Sequence, residues 1–306
     1  MSKEQFEHEY DPEYASPELY CPFCERYSTE FLPTGLDIPV LKEKNVVSGG
    51  YRLNATCSNC GSIDRERLIY LYLRNKSQLF YNNLKILHVA PEANLQKVLM
   101  AQPNIEYLSA DISSPLAMVQ MDITDIKYED NSFDVVICNH VLEHIPDDRK
   151  AMGELYRVLK PGHHSVISVP SFNYIRRTKY TLRIYHLNPA RNLIRSSTVR
   201  RVLGREPFIP RSVPWKSRLY TDSQSFWEYL FSKSEFEEEL RKAGFTTVES
   251  VPIALMDGIH HEFGARFVPF RNWAFHPTRL ARLLNSILGR IPFCHNHMHL
   301  CVVRKE

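Results

Sequence analysis

The stretch NSFDVVICNHVLEHIPDDRKAMGELYRVLKPG, residues 131–162, decides the fold. Phe133 to Cys138 reads as a buried strand, Asn139 and His140 as a polar turn, and the residues after them as a helix with a polar start. Asp147 and Asp148 suit the beginning of that helix, Leu155, Val158 and Leu159 give it an apolar face, and Pro161-Gly162 is expected to stop it. A second buried strand is expected over Ser165 to Val169. Strand, helix and strand in this order make a right-handed crossover in a parallel sheet. Ligands of such sheets lie beyond the carboxyl ends of the strands, so Asn139 to His144 should line a site.

These residues carry a resemblance. SFDVVICNHVLEHIPD with ELYRVLKPG is similar to the class I S-adenosylmethionine-dependent methyltransferases, in particular the broad group that includes ubiquinone-pathway and polysaccharide enzymes. The likeness runs over about Leu84 to Pro170, with a weaker echo over Phe236 to Val251. It implies an α/β fold: a Rossmann-like seven-stranded methyltransferase sheet, its sixth and seventh strands (Thr246 to Val251, His299 to Val303) forming the antiparallel edge. The cofactor implied is S-adenosylmethionine.

Residue by residue, the resemblance assigns the first strand and its loop to LKILHVAPE, residues 84–92. Most members have an acid followed by glycines there. Here His88 replaces the acid, and Ala90 and Glu92 replace glycines, so Glu92 is the residue expected to receive the cofactor's amino group. Asp111, with Ile112 beside it, follows the strand Ile105 to Ala110, where a carboxylate takes both ribose hydroxyls; a helix or turn cap is the alternative reading. Asp122 and Ile123 follow the strand Val119 to Met121 and fall where the family meets adenine. Asn139 is placed beside the cofactor. His140, Glu143 and His144 stand at i, i+3 and i+4 and share a face if the turn becomes helical. Methyl transfer chiefly needs alignment, and a base helps when a hydroxyl must lose its proton. His140 is the first candidate base and His144 the second. The same trio also has a metal reading, and a third in which Glu143 and His144 merely brace the loop.

Ahead of the sheet stand Cys21-Pro22-Phe23-Cys24 and Cys57-Ser58-Asn59-Cys60-Gly61. Two CxxC pairs at this separation fit a zinc ribbon, with Cys21, Cys24, Cys57 and Cys60 closing a four-thiolate shell around a structural ion. The domains expected are therefore residues 1–62, a tail and ribbon-like module, and residues 63–306, the methyltransferase domain, with insertions at about 174–220 and 254–297. A helix over Ser62 to Asn75 should join the two, packing Leu68, Leu71 and Tyr72 inward and leaving Arg65 and Arg67 on the surface.

Composition sets the remaining bounds. The 306 residues carry a net charge of only +3. No apolar run approaches the roughly 18 residues of a membrane span, and the acidic, polar N-terminus is no secretory signal. Cytoplasmic residence follows as the expectation, with the seven cysteines reduced. Charge is unevenly placed. Twelve cations, among them Arg176, Arg177, Lys179, Arg200, Arg201 and Arg218, lie between Arg176 and Arg218, and only Glu206 opposes them. An insertion of this sign over the acceptor side suggests a lid for an anionic small molecule or glycan; a helix is expected there from Pro189 to Leu203. In the second insertion Leu280, Leu283, Leu284, Ile287, Leu288 and Ile291 form one helical stripe beside Arg279, Arg282 and Arg290. Packing against the domain is the preferred reading, and peripheral contact with an anionic membrane the other. No nucleic-acid motif is present. The leading expectation is O-methylation of an anionic saccharide or lipid-linked glycan precursor. A fold-retaining scaffold that no longer catalyses, or a methyltransferase acting on RNA or protein, is the alternative.

Overall fold

The computed structural model describes residues 19–35, 52–171, 173, 175, 202, 215–216, 225–226, 229, 231–253, 270–271, 274–275, 278–288, 290–291, 294 and 298–306. The expected helix from Pro189 to Leu203, as a whole, and the tail before residue 19 lie outside these.

Strands β5 (Leu84–Val89), β6 (Ile105–Asp111), β7 (Val119–Gln120), β8 (Phe133–Asn139) and β9 (Leu159–Pro170) are parallel. β12 (Thr246–Ile253) and β15 (Met298–Arg304) complete a seven-stranded sheet of order β12-β15-β9-β8-β5-β6-β7. β15 runs antiparallel to both neighbours, so the antiparallel edge is as expected. Smaller hairpins pair β1 (Leu19–Cys21) with β2 (Arg26–Ser28), β3 (Phe31–Thr34) with β4 (Arg52–Cys57), β10 (Trp215–Lys216) with β11 (Ser225–Phe226), and β13 (Phe270–Arg271) with β14 (Ala274–Phe275).

Alternation along the strands fills two cores, because successive side chains point to opposite faces. Leu87, Val89, Val136, Cys138, Ile167 and Val169 pack on one face against helices α3 (Asp148–Val158) and α4 (Lys233–Lys242). Ile86, Ile137, Val166 and Leu300 pack on the other against α1 (Asp64–Lys76) and α2 (Ala93–Met100). Asp147 caps α3, its side chain accepting from the Lys150 amide at 3.2 Å. Glu235 reaches back to the Ser232 amide at the start of α4. Arg149 ties the two helices together, its Nε 2.6 Å from Glu239 Oε2.

Two expectations need correction. The helix α3 stops at Val158 and the chain is already extended at Leu159, so Pro161-Gly162 falls within β9; Leu159 pairs with Phe133, and the strand begins six residues before Ser165. In α1 the inward stripe is Glu66, Ile69 and Leu73, with Arg67 also buried, and Leu71 faces solvent. Two charged residues on the buried side hid this stripe from a hydrophobicity pattern.

Candidate functional site at the carboxyl edge of the sheet

The parallel strands end together, which brings Val89, Asp111, Asn139 and Pro170 to one edge. The loop after β5 turns at Ala90, whose φ of +50° is left-handed, a conformation that glycine usually supplies. The Ala90 amide donates to the Ala110 carbonyl at 2.8 Å, which fixes the turn against β6.

Glu92 is the centre of a buried polar network. Its Oε1 accepts from Asn139 Nδ2 at 2.5 Å and its Oε2 lies 3.1 Å from His88 Nε2. His88 Nδ1 lies 2.9 Å from the Tyr107 hydroxyl, and the Ser168 hydroxyl donates to Asn139 Oδ1. Burial pushes the Glu92 carboxyl up, but His88, Arg65 and Asn139 outweigh it and hold the acid below its usual range. His88 is wholly buried. It therefore faces Glu92 and Tyr107 and orients the acid.

The other expected cofactor residues stand around this loop. Asp111 sits at the end of β6, where its Oδ1 accepts from the Ser113 and Ser114 amides at 2.8 and 2.7 Å. That is the turn-cap geometry, on a side chain that remains partly exposed. Ile112 is exposed beside it. Asp122 is exposed and accepts from the Thr124 amide at 2.8 Å, while Ile123 is buried in the core.

His140 also has a left-handed backbone, φ +55°, and its amide donates to the Ser168 carbonyl at 2.9 Å. A 3-10 turn, Leu142–His144, follows. Glu143 is fully buried between two imidazoles: its Oε1 lies 3.3 Å from His140 Nδ1 and 3.7 Å from His144 Nε2. Among the described residues, neither ring nitrogen of His140 and neither oxygen of Glu143 completes an aligned hydrogen bond. Burial pushes the Glu143 carboxyl up, but the two histidines pull it below its usual range. Tyr229 closes the turn from outside, its amide donating to the Glu143 carbonyl at 2.7 Å and its hydroxyl to the Pro146 carbonyl.

Sequence reasoning missed Tyr107, Ser168, Glu66 and Tyr229. Ser168 is the register partner of Asn139, and Tyr107 lies on the same face as His88, two residues before its partner Ser109, so strand pairing would have found both. Tyr229 returns from beyond a long insertion and leaves no such signal.

The four cysteines gather at the ends of the small hairpins. Their sulfurs all lie within 4.8 Å of one another, with Cys21 to Cys60 at 3.6 Å and Cys24 to Cys57 at 3.8 Å, and no disulfide joins them. A tetrahedral zinc site with sulfurs about 2.3 Å from the ion has edges of roughly 3.8 Å, so the group fits. Gly61, φ +73°, gives the left-handed turn after Cys60. Burial pushes the Cys21 thiol up, yet the Ser62 hydroxyl and the amides of Cys24 and Phe23 bring it down to about 6.

Arg65 and Arg67, expected on the surface, have other surroundings. Arg67 is buried, donates to the carbonyls of Ser62 and Ala55, and lies 4.5 Å above the Phe31 ring. Its charge faces the cysteine group. Arg65 is only partly exposed, and its charge acts on Glu92. The neighbouring Glu66 accepts from the amides of Asn94 and Leu95 at 2.6 and 2.8 Å, at the start of α2. Three consecutive residues thus join the cysteine cluster to the loop that carries Glu92.

Residues 85–167 match the family model described as a methyltransferase domain. Over those residues the chain is similar to that family. It is 28% identical over 141 residues to a demethylmenaquinone methyltransferase of Clavibacter sepedonicus, covering 43% of this chain and 47% of that protein. It is 39% identical over 59 residues to a phosphoethanolamine N-methyltransferase of Caenorhabditis elegans, covering 18% of this chain and 14% of that one. The matched stretch spans less than half the length of these curated relatives. A solved S-adenosylmethionine-dependent methyltransferase of Archaeoglobus fulgidus superposes with a TM-score of 0.46 at 14% identity, covering 78% of this chain and 94% of that one.

One further polar group lies at the antiparallel edge of the sheet. His299 Nε2 is 2.7 Å from the Ser250 hydroxyl and 3.1 Å from Cys301 Sγ, with Glu237 close by. Burial holds His299 down to about 4 and pushes the Cys301 thiol up to about 12. Lys233 pairs with Glu237 at 2.6 Å. A neutral imidazole, a protonated thiol and a carboxylate already neutralised make this a hydrogen-bonded knot, unlike the cysteine cluster.

Proposed function

We propose that this protein transfers a methyl group from S-adenosylmethionine to a hydroxyl oxygen of an anionic acceptor, a saccharide or lipid-linked glycan precursor. When bound, the cofactor supplies an electrophilic methyl carbon on a sulfonium. Asp111 and Asp122 would hold its ribose and adenine. Ala90 would present backbone, and Glu92, kept ionised and oriented by His88 and Asn139, would face its cationic amino group. Glu92 thereby stands in for the acid that the first loop lacks.

The observation that carries the catalytic reading is the buried Glu143 carboxylate between His140 and His144. That carboxylate lies 3.3 Å from His140 Nδ1, the acid–imidazole pairing that general-base catalysis uses. His140 takes the acceptor's proton as the new carbon–oxygen bond forms and the carbon–sulfur bond breaks. The basic segment from Arg176 to Arg218, joined to the end of β9, supports an acceptor of negative charge.

The structural zinc is part of the same reading: Cys21, Cys24, Cys57 and Cys60 would hold it in a closed shell with no open position, and Arg67 would offset its excess negative charge. One observation favours the scaffold alternative: both Glu92 oxygens already have partners within the protein.

Turnover separates the readings. His140→Ala should leave cofactor affinity unchanged and lower the rate on a hydroxyl acceptor by roughly 10²–10⁴-fold. Glu143→Gln should lower it in the same direction, also with cofactor affinity intact. Wild-type turnover in both variants would remove the dyad from the chemistry.

A further inference from the structure

Helix α5 (Arg279–Leu288) turns only the inner border of its apolar stripe inward. Leu280, Leu283, Ile287 and Ile291 are 52, 54, 51 and 49% exposed, and within the helix only Ala281 is buried. At helical spacing these residues and Leu284 fall within an arc of about 100°, with Leu284 toward its inner border. Arg279 and Arg290 are exposed and flank the arc on its outer side, and the exposed Arg282 lies farther round, almost opposite it. Leu284 and Leu288 are half-buried beside Ala281, so the inner border of the expected stripe packs inward and its outer part does not.

Charge says what would cover such a face. No acidic residue occurs between Glu262 and Met298, whereas Arg266, Arg271, Arg279, Arg282 and Arg290 lie there. Topology says where the face lies. Ile253, Met298 and Pro170 are register partners, so the insertion that carries α5 leaves and re-enters the sheet at the edge where β9 ends. The twelve cations between Arg176 and Arg218 are joined to that same edge, and so are Asn139 to His144. Two basic insertions thus spring from the rim of the candidate site, and one of them bears exposed leucines and isoleucines.

We propose that α5 docks this edge of the protein onto an anionic lipid surface, with Leu280, Leu283, Ile287 and Ile291 among the acyl chains and the flanking arginines at the headgroup phosphates. The chemistry fits in both parts. Buried apolar area and attraction between arginine and anionic headgroups are the two contributions to interfacial helix binding. A helix of ten residues is about 15 Å long, half the hydrocarbon thickness, so it lies in the surface and does not span it. Other occupants fit less well. A second copy would bring like-charged arginines against one another, the chain's other large insertion has the same sign, and a nucleic acid would leave the aliphatic stripe wet. The inference concerns binding alone and holds whether or not the site transfers methyl groups.

Flotation of the full chain, without cofactor, with phosphatidylcholine vesicles that contain or lack phosphatidylglycerol tests it. Partition should be roughly tenfold or more in favour of the anionic vesicles and should fall as salt is raised. Leu283→Glu with Ile287→Glu should abolish it. Arg279→Gln and Arg290→Gln should each weaken it about fivefold, with an unchanged circular dichroism spectrum in every variant. These substitutions change solvent-facing side chains, and the arginine series keeps the test valid if the double glutamate variant misfolds. Absence of flotation, equal partition on both vesicles, or wild-type partition in the arginine variants would overturn the proposal. So would a dimer that Leu283→Glu splits in the absence of any vesicle binding, or salt-sensitive capture of an oligonucleotide with none of lipid.

Discussion

At Gly244 a single missing Cβ decides the packing of two elements. Its φ is +108°, and a Cβ there would stand 2.8 Å from the Tyr156 ring. That ring is held edge-on by Phe245 at 5.2 Å and covered by the Lys305 ammonium at 4.6 Å, so it has little room to yield. Gly244→Ala is expected to cost about 1–3 kcal/mol in overpacking, with backbone strain in addition, measured as a lower urea midpoint; an unchanged midpoint would contradict it. Residues of this kind were unevenly legible. Asn139, Glu92 and His140 stand at strand ends, where the strand–turn pattern placed Asn139 and His140 and the family resemblance placed Glu92. The roles of His88 and Arg67 were not legible, because each is a charged or polar group turned inward by partners distant in sequence: Tyr107 for one, Ala55 for the other. Hydrophobic periodicity places such residues outside.

Among the elements, α1 has the widest reach. Its first turn holds the ribbon through Arg67 and the start of α2 through Glu66, while Ile69 and Leu73 bury against the sheet. Loss of the metal should therefore be felt beyond the ribbon. The purified wild-type protein should contain one zinc per chain, and Cys57→Ser should release it and lower thermal stability. In the same variant cofactor affinity should fall several-fold, because α1 positions the loop that carries Glu92. Zinc-free wild-type protein would refute the ribbon, and unchanged cofactor affinity in the zinc-free variant would refute the linkage. The strands and helices of the sheet were readable in the sequence since each is short and strongly patterned. The true start of β9 was not, since Pro161 and Gly162 look like punctuation and yet stand within a strand that pairs with β8 and β15. The exposed stripe of α5 shows the limit from the other side: periodicity identified the face but not what it meets.

For the whole molecule, acid sensitivity follows from groups buried in ionisation states that water would not choose. His299, surrounded by Ser250, Cys301, Glu237 and Lys233, is held down to about 4, below its usual value near 6.5. The unfolded chain then binds the proton first, so stability should decline as pH falls from about 6.5 to 4, by roughly 3 kcal/mol at most. Asp64, Glu92 and Glu143 are held below the ordinary carboxylate range and add their losses at lower pH, as they are protonated; Glu66, raised by burial, acts in the opposite sense. Denaturant midpoints across this range, compared with those of His299→Gln, check the sign: the variant should show the flatter profile between pH 6.5 and 4, and parallel profiles would exclude His299 as the source.

The same scale holds the main claim, that a sheet edge without its usual glycines still binds a sulfonium nucleoside. Calorimetric titration of the full-length, zinc-loaded chain with S-adenosylmethionine tests it most directly. One saturable site of micromolar affinity is expected, weakened roughly tenfold or more in Asp111→Ala as the ribose hydroxyls lose a charged hydrogen-bond partner. No heat of binding at millimolar ligand, or equal affinity in the wild type and Asp111→Ala, would contradict it.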